Sequence, residues 1–210
     1  MYRILLILTI SLIGHSCRSQ EPLKSTEMPE APSTALPYDT IPAYADAYSA
    51  GAVCARLVDG LGFRYRWATE GLRQADLDYK IDSTNRTSME TLSHIQGLSE
   101  TLLNSVMKEP NIRPRPEAEA LSWEDMRAAT LHNFLKASTI LSTSTEEDLA
   151  SYEVVFKRGD RENRFPFWHQ LNGPIADALW HVGQVVSFRR ASGNPIDSRV
   201  NVFMGRVRER

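Results

Sequence analysis

Long amphipathic segments are the feature of this 210-residue sequence that most constrains its fold. In the clearest one, apolar residues recur at steps of three and four, the spacing of one face of an α-helix. The members of this stripe are Leu92, Ile95, Leu98, Leu102 and Val106. Thr87 and Glu90 have the spacing of a capping box at its start, and Pro110 follows its end. The pattern predicts a helix with one buried face.

Three further segments have the composition and boundary residues of helices. They run from Pro42 to Glu70, from Ser122 to about Leu141, and from Pro174 to Gly193. Residues 151–156 are β-branched and aromatic and predict a short extended piece at most. Four such helices predict an all-α fold, an antiparallel four-helix bundle over residues 42–200 with a long connection before the last helix.

The first residues have the pattern of an export signal. The apolar run over residues 4–13 follows an arginine and is too short to cross a membrane. Small residues precede Cys17, as in bacterial lipoprotein signals, whose cysteine is lipidated and becomes the mature N-terminus; ordinary secretory cleavage nearby is the alternative. We expect a signal over residues 1–17, a proline-rich tether over 18–41 and a basic tail over 201–210. The pattern predicts an exported lipoprotein, anchored in a membrane of the bacterial envelope and facing the periplasm.

The last predicted helix carries an unusual polar stripe. Asp177, His181 and Gln184 lie on one side of a segment that is otherwise mostly apolar or small. A helix of that composition is usually buried, and buried polar groups need partners. The stripe is therefore a metal or catalytic site, a hydrogen-bonded core network, or the solvated side of the helix.

Two segments resemble the DinB/YfiT-like superfamily of four-helix-bundle proteins. They are SMETLSHIQGL on the second helix and GPIADALWHVGQVVSFRRASGNP on the last, and the resemblance covers about residues 43–196. In that family a histidine of the second helix and an HxxxH pair of the last bind a divalent metal, usually zinc or nickel, over an open cavity. Some members are thiol-dependent transferases or isomerases, and related bundles often form homodimers.

Carried over residue by residue, the resemblance implies a metal site with one substitution. His94 matches the ligand of the second helix and His181 the second histidine of the pair, whereas Asp177 replaces the first. Two histidines and a carboxylate form a known catalytic ligand set. The alternative is a lost site, in which Asp177 accepts a hydrogen bond from His181. Gln184 and His169 are candidate additional site residues, although packing at the entry of the helix would equally explain His169.

Charge and composition argue against one class of partner, but they do not identify the function. A net charge of −2 argues against nucleic acid as the main partner. Three functions remain open: a metal-dependent envelope enzyme of the hydrolase or transferase class, a non-catalytic bundle that binds a small ligand or a partner, and a purely structural bundle. Arg189 and Arg190 could bind an anionic substrate, or they could pair with acidic residues or a helix end.

Overall fold

The computed structural model describes residues 35–114 and 121–209. Its helices are α1 (Ala50–Ala68), α2 (Gln74–Leu77), α3 (Ser88–Val106), α4 (Trp123–Thr143), α5 (Glu146–Ser151), α6 (Trp168–Gln170) and α7 (Ala176–Ala191), and a π-helical turn, Leu171–Ile175, joins α6 to α7. Its strands are β1 (Asn111–Ile112), β2 (Glu153–Arg158), β3 (Arg161–Pro166), β4 (Val200–Asn201) and β5 (Arg206–Val207). Cys17, the predicted signal and most of the predicted tether lie outside the described residues. Within them, no helix is both long enough and apolar enough to cross a membrane.

The four long helices build the core. Helix α1 packs against α4 and α7, and α3 packs against the same two helices. Side chains from all four are fully buried and include Val58, Phe63, Tyr65, Leu92, Ile95, Leu131 and Ala178. The predicted capping box of α3 is confirmed, since Glu90 N donates to Thr87 Oγ1 at 3.1 Å and Thr87 N donates to Glu90 Oε2 at 2.8 Å. The cap fixes where α3 begins, and burial of its apolar stripe turns that face toward the core.

The predicted all-α fold class is wrong, because the described residues also form two sheets. Strands β1, β2 and β3 make one sheet, in which β1 pairs parallel with β2 and β2 pairs antiparallel with β3. Strands β4 and β5 form a second, antiparallel pair. All six residues of β3 are exposed, so its sequence lacks the apolar alternation that predicts a strand. The short extended piece predicted over residues 151–156 overlaps β2, which joins β3 through a turn with Gly159 at φ +56°.

The first helix begins later than the sequence predicts. Ser49 caps α1 by accepting a hydrogen bond from Ala52 N at 3.1 Å, so the helix starts at Ala50 and not at Pro42. The chain before it packs on the helix: Tyr38 is buried, and its hydroxyl donates to Asp59 at 3.1 Å. Gly62 leaves room for the Tyr38 ring, whose carbons would lie 2.3–2.6 Å from an added Cβ. The absence of a side chain at Gly62 thus allows this close packing.

The last helix is bent where the sequence predicts its start. Gly173 has φ −103° and ψ −109°, which breaks the helical path between α6 and α7, and Pro174 follows inside the π-helical turn. Gln170, fully buried before this kink, donates from Nε2 to Thr101 O of α3 at 3.0 Å. The bond ties the start of this region to α3, so α7 leaves the kink alongside the helix that carries His94.

Candidate metal centre

Helices α3 and α7 bring together three side chains that could hold a metal ion. His94 Nε2 lies 3.1 Å from Asp177 Oδ2, and His181 Nε2 lies 3.3 Å from Asp177 Oδ1. One ligand atom from each residue can be chosen so that all lie within 4.8 Å of one another. The two imidazole rings meet edge to face, with centroids 4.8 Å apart and an interplanar angle of 84°. The structure thus places all three predicted ligands in one cluster.

Local sequence explains why each side chain reaches this point. His94 follows Leu92 and precedes Ile95, both fully buried, so it projects from the flank of the apolar stripe of α3. Asp177 and His181 are four residues apart on α7 and therefore lie one above the other on the same side of that helix. Contact between α3 and α7 then places the aspartate between the two histidines.

Gln184 contacts the ring of His181. Its Oε1 lies 2.7 Å from His181 Nδ1 and can accept a hydrogen bond from it. The other ring nitrogen, Nε2, lies 3.3 Å from Asp177 Oδ1. An imidazole nitrogen and a carboxylate oxygen at this distance can share either a proton or a metal ion.

The cluster opens onto solvent on one side. The side chains of His94 and Asp177 are 35 % and 40 % exposed, whereas that of His181 is 16 % exposed. His94 and Asp177 line a cleft of about 580 Å³ between α3, β2 and the kink before α7. Three protein ligands beside an open cleft are typical of catalytic zinc sites, because the remaining coordination position is left for water or substrate.

His169 is not part of this cluster. It lies on α6, is exposed, and its ring contacts that of Phe165 with centroids 5.3 Å apart. Among the described residues, the group with metal-ligand geometry contains His94, Asp177 and His181 alone. His169 as an additional site residue therefore has no support from this cluster.

Arg189, at the polar end of α7, contacts the end of another helix, which is one of the alternatives that the sequence left open for it. Arg189 is buried and donates from Nη1 to Ala68 O at 2.9 Å and to Trp67 O at 3.2 Å, which satisfies carbonyls at the end of α1. Its Nε donates to Asn194 O at 2.6 Å. Arg189 is thus a helix-capping residue that faces the protein interior, and it does not line the cleft of the metal cluster.

Asp76 completes this junction between α1, α2 and the end of α7. Its carboxylate is fully buried and accepts from Arg73, from Ser192 Oγ at 2.5 Å and from Asn194 Nδ2 at 2.6 Å. The hydrogen bonds from the Arg73 side chain, aided by those from Ser192 and Asn194, hold the pKa of Asp76 well below its usual range. The segment that ends α7 therefore links α1 and α2 to α7 and helps to close the fold.

Comparison of the chain with protein-family models, with curated proteins and with solved structures gives no match. The resemblance to the DinB/YfiT-like superfamily therefore stays a prediction from the residues quoted above. The structure shows a group of two histidines and one aspartate that could hold a metal ion, at the edge of an open cleft.

Proposed function

We propose that this protein binds one divalent metal ion, zinc or nickel, through His94, Asp177 and His181, and that it is a metal-dependent enzyme of the hydrolase or transferase class. The observation that carries the proposal is the cluster itself, in which one ligand atom from each of the three side chains lies within 4.8 Å of the other two, beside an open cleft. With Gln184 Oε1 accepting from His181 Nδ1, the other ring nitrogen is turned toward Asp177 as a ligand atom.

The donor set fits such an ion. Two imidazole nitrogens and a carboxylate oxygen are ligands that zinc accepts at catalytic sites. When bound, a divalent cation at such a site polarises a carbonyl or phosphoryl oxygen and makes water a better nucleophile at neutral pH. The chain contributes the positions of the ligands: Gln184 orients His181, and the kink at Gly173 sets Asp177 against His94.

One observation favours a second function, metal-dependent binding of a ligand without turnover. The other carboxylate that lines the described part of the cleft is Glu90, and it is engaged in capping α3 through Thr87 N at 2.8 Å. The hydrogen bond from that backbone amide lowers the pKa of Glu90, which makes it a weak proton acceptor. If Glu90 does not act as a general base, the site can still bind a ligand without converting it.

Metal content tests the proposal. The full chain is purified in detergent without chelator or nickel resin, and zinc and nickel are measured by elemental analysis. About one ion per chain is expected in the wild type, and His181→Ala should lose it. His132→Ala is the matched control, because His132 is exposed on α4 and bonds only its own helix, through Ala128 O at 2.8 Å. Equal metal in both variants, or none in folded wild type after zinc is added back, would refute the site.

Activity separates the two candidate functions. Zinc-loaded wild type and His94→Ala are compared in assays of ester and phosphoester hydrolysis, with circular dichroism as the check on folding. Turnover that disappears in the folded variant supports the enzyme. Stoichiometric metal with no turnover on either class supports the binding function.

We also propose, from the signal pattern, that the protein is a lipoprotein of the bacterial envelope with Cys17 as its lipidated residue. Expression with a radiolabelled fatty acid tests this directly. The wild-type chain should take up label and sediment with membranes, whereas Cys17→Ser should do neither. Cys54→Ser is the control, since Cys54 is half-buried within α1 and should not change labelling.

A further inference from the structure

The turn between β4 and β5 exposes three consecutive apolar side chains. Val202, Phe203 and Met204 are 46 %, 91 % and 49 % exposed, and two exposed arginines, Arg206 and Arg208, follow them in the sequence. We infer that this turn docks on an anionic lipid bilayer, with the three apolar side chains in the interface and the two arginines at the level of the phosphate groups. The inference goes beyond the metal site and rests only on the proposed location at a membrane.

Hydrogen bonds fix the turn and tie it to the chain before α1. Asn201 Oδ1 accepts from Met204 N at 3.1 Å, and Gly205, at φ +64°, donates from N to Asn201 O at 2.8 Å. The carbonyl of Gly205 accepts from Ile41 N at 2.8 Å, and a Cβ added at Gly205 would lie 2.6 Å from the Ile41 side chain. Phe203 is therefore exposed because an ordered, closely packed turn holds it in this position.

The apolar surface of the turn continues into a groove beside it. Val202 lines a groove of about 580 Å³ between α7, the end of α1 and residues 196–202. Its other apolar lining residues include Leu179, Val186, Ile196 and Val200. Scattered exposed apolar residues are normal on protein surfaces, whereas contiguous ones mark a contact with another molecule or with a membrane. The turn and the groove therefore form one contact surface, in which Phe203 is the most exposed side chain.

The charge beside the turn favours a lipid bilayer over an apolar protein partner. Residues 197–210 contain four arginines and two acidic residues, of which Asp197 pairs with Arg199 at 2.5 Å. Arg206 and Arg208 are exposed, and within the described residues neither side chain forms an ion pair or a hydrogen bond. Arginines placed in this way attract the phosphates of anionic lipids, while neighbouring apolar side chains enter the interface.

The turn also contacts the segment that leads back to the proposed lipid anchor. Ile41, which bonds Gly205, is six positions after Ala35, the first described residue. Residues 18–34 connect Cys17 to this segment. A lipid on Cys17 would therefore keep the turn close to a bilayer, and a weak contact of the turn gains from the high effective concentration that such a link creates. Stable attachment to a membrane commonly combines two such signals.

Fluorescence of a probe in the turn tests the inference. In the full chain with Cys17 and Cys54 replaced by serine, Met204→Cys carries a nitrobenzoxadiazole label, and Phe203 stays in place. Vesicles of phosphatidylglycerol and phosphatidylcholine in equal parts should shift the emission to shorter wavelength and raise its intensity, because the label leaves water. Vesicles of phosphatidylcholine alone, with the same amount of chain bound by sedimentation, should give a smaller shift. Asp160→Cys, labelled in the exposed turn between β2 and β3, is the positional control and should not respond.

Substitutions in the labelled chain identify the side chains that make the contact. Phe203→Ser should abolish the shift, and Arg206→Gln with Arg208→Gln should reduce it on the anionic vesicles to the size seen on phosphatidylcholine alone. Tyr48→Ser is the matched control, because Tyr48 is a fully exposed aromatic residue in the chain before α1. It should leave the shift unchanged.

The outcomes separate the docking surface from the lipid anchor. No shift at residue 204 with anionic vesicles in excess, or a shift that survives Phe203→Ser, overturns the docking inference and leaves the anchor proposed at Cys17 standing. A shift that appears without vesicles as the protein concentration rises would assign the turn to a contact between chains and also overturn the inference. If the wild-type chain takes up no labelled fatty acid while residue 204 responds as expected, the lipid anchor fails and the docking surface is supported.

Discussion

Replacing Asp76 by asparagine should cost the fold about 3 kcal/mol, because the buried carboxylate would lose its charge-assisted hydrogen bonds. The carboxylate is fully buried and accepts Arg73 N at 2.7 Å, Arg73 Nε at 3.0 Å, Arg73 Nη2 at 2.8 Å, Ser192 Oγ at 2.5 Å and Asn194 Nδ2 at 2.6 Å. Asparagine keeps the shape but loses the charge and turns an amide NH₂ toward some of these donors. Hydrogen bonds to a charged group contribute about 1.5–3 kcal/mol each, and neutral ones about 1 kcal/mol.

Urea unfolding followed by circular dichroism at pH 7, with chelator present to remove any contribution of metal, measures this loss. Asp78→Asn is the matched control, since Asp78 is exposed and accepts one hydrogen bond, from Gln74 Nε2 at 2.8 Å. It should change the free energy of unfolding by about 0.5 kcal/mol or less. If the Asp76 variant is no less stable than the Asp78 variant, and the slope of its unfolding free energy against urea is unchanged, then Asp76 does not stabilise the contact between α2 and the end of α7.

The pH dependence of the difference in unfolding free energy between wild type and Asp76→Asn gives a second check. Because the pKa of Asp76 is held below its usual range in the folded chain, its stabilisation is fully present above the unfolded pKa, about 3.9, and is lost as pH falls through the folded value. The gap in unfolding free energy between wild type and Asp76→Asn should thus stay constant from pH 7 to about pH 5. It should shrink only below about pH 4. A gap that shrinks between pH 7 and pH 5 would contradict the assigned ionisation.

Two further predictions concern side chains that contact the site or the core. Gln184→Leu keeps the approximate volume of the side chain but removes its hydrogen bond with His181 Nδ1, so the zinc affinity measured by competition with a chelator should fall about 10–100-fold. An unchanged affinity would contradict the orienting role of Gln184. Gly62→Ala should destabilise the fold by about 1–3 kcal/mol in urea unfolding, because its Cβ would clash with the Tyr38 ring. Gly60→Ala in the same helix meets only the end of the Arg64 side chain at 3.3 Å and should be neutral or stabilising, so equal losses in both variants would refute the packing argument.

The helical part of the fold could be predicted because its signals are local. The stripe of α3 and its cap at Thr87 lie within one stretch of about twenty residues, and both are observed. Helix α4 begins after Ser122, as its sequence indicates, with Asp125 N donating to Ser122 Oγ at 3.0 Å. Residues four or fewer positions apart decide such features, so the sequence contains what is needed to find them.

The sheets could not be predicted in the same way. Strand β1 is two residues long and pairs with β2, whose residues lie 45 positions further along the chain: Asn111 is opposite Phe156. Strand β3 has no buried residue, so its charged sequence looks like a turn. Its pairing is decided by the register with β2, where Val155 lies opposite Arg164. Non-local pairing and the lack of an apolar face therefore left β1 and β3 without a periodic signal in the sequence.

The candidate site could be predicted from the sequence only in part. The sequence predicted His94, Asp177 and His181 as a group, and the structure brings them together although His94 and Asp177 are 83 positions apart. The quoted resemblance supplied that long-range pairing, because helical periodicity alone gives only Asp177 with His181. The cleft beside the cluster is also lined by Arg113, whose segment pairs with β2 in the sheet that the sequence did not predict.

The most direct test of the metal site is a crystal of the protein grown with zinc and measured at the zinc absorption edge. We expect an anomalous difference peak about 2.0–2.2 Å from His94 Nε2, His181 Nε2 and an Asp177 oxygen, with Gln184 Oε1 still bonded to His181 Nδ1. Ordered side chains with no peak between them, or a peak held by other residues while Asp177 bonds His181 directly, would show that the cluster is a hydrogen-bonded network and not a metal centre.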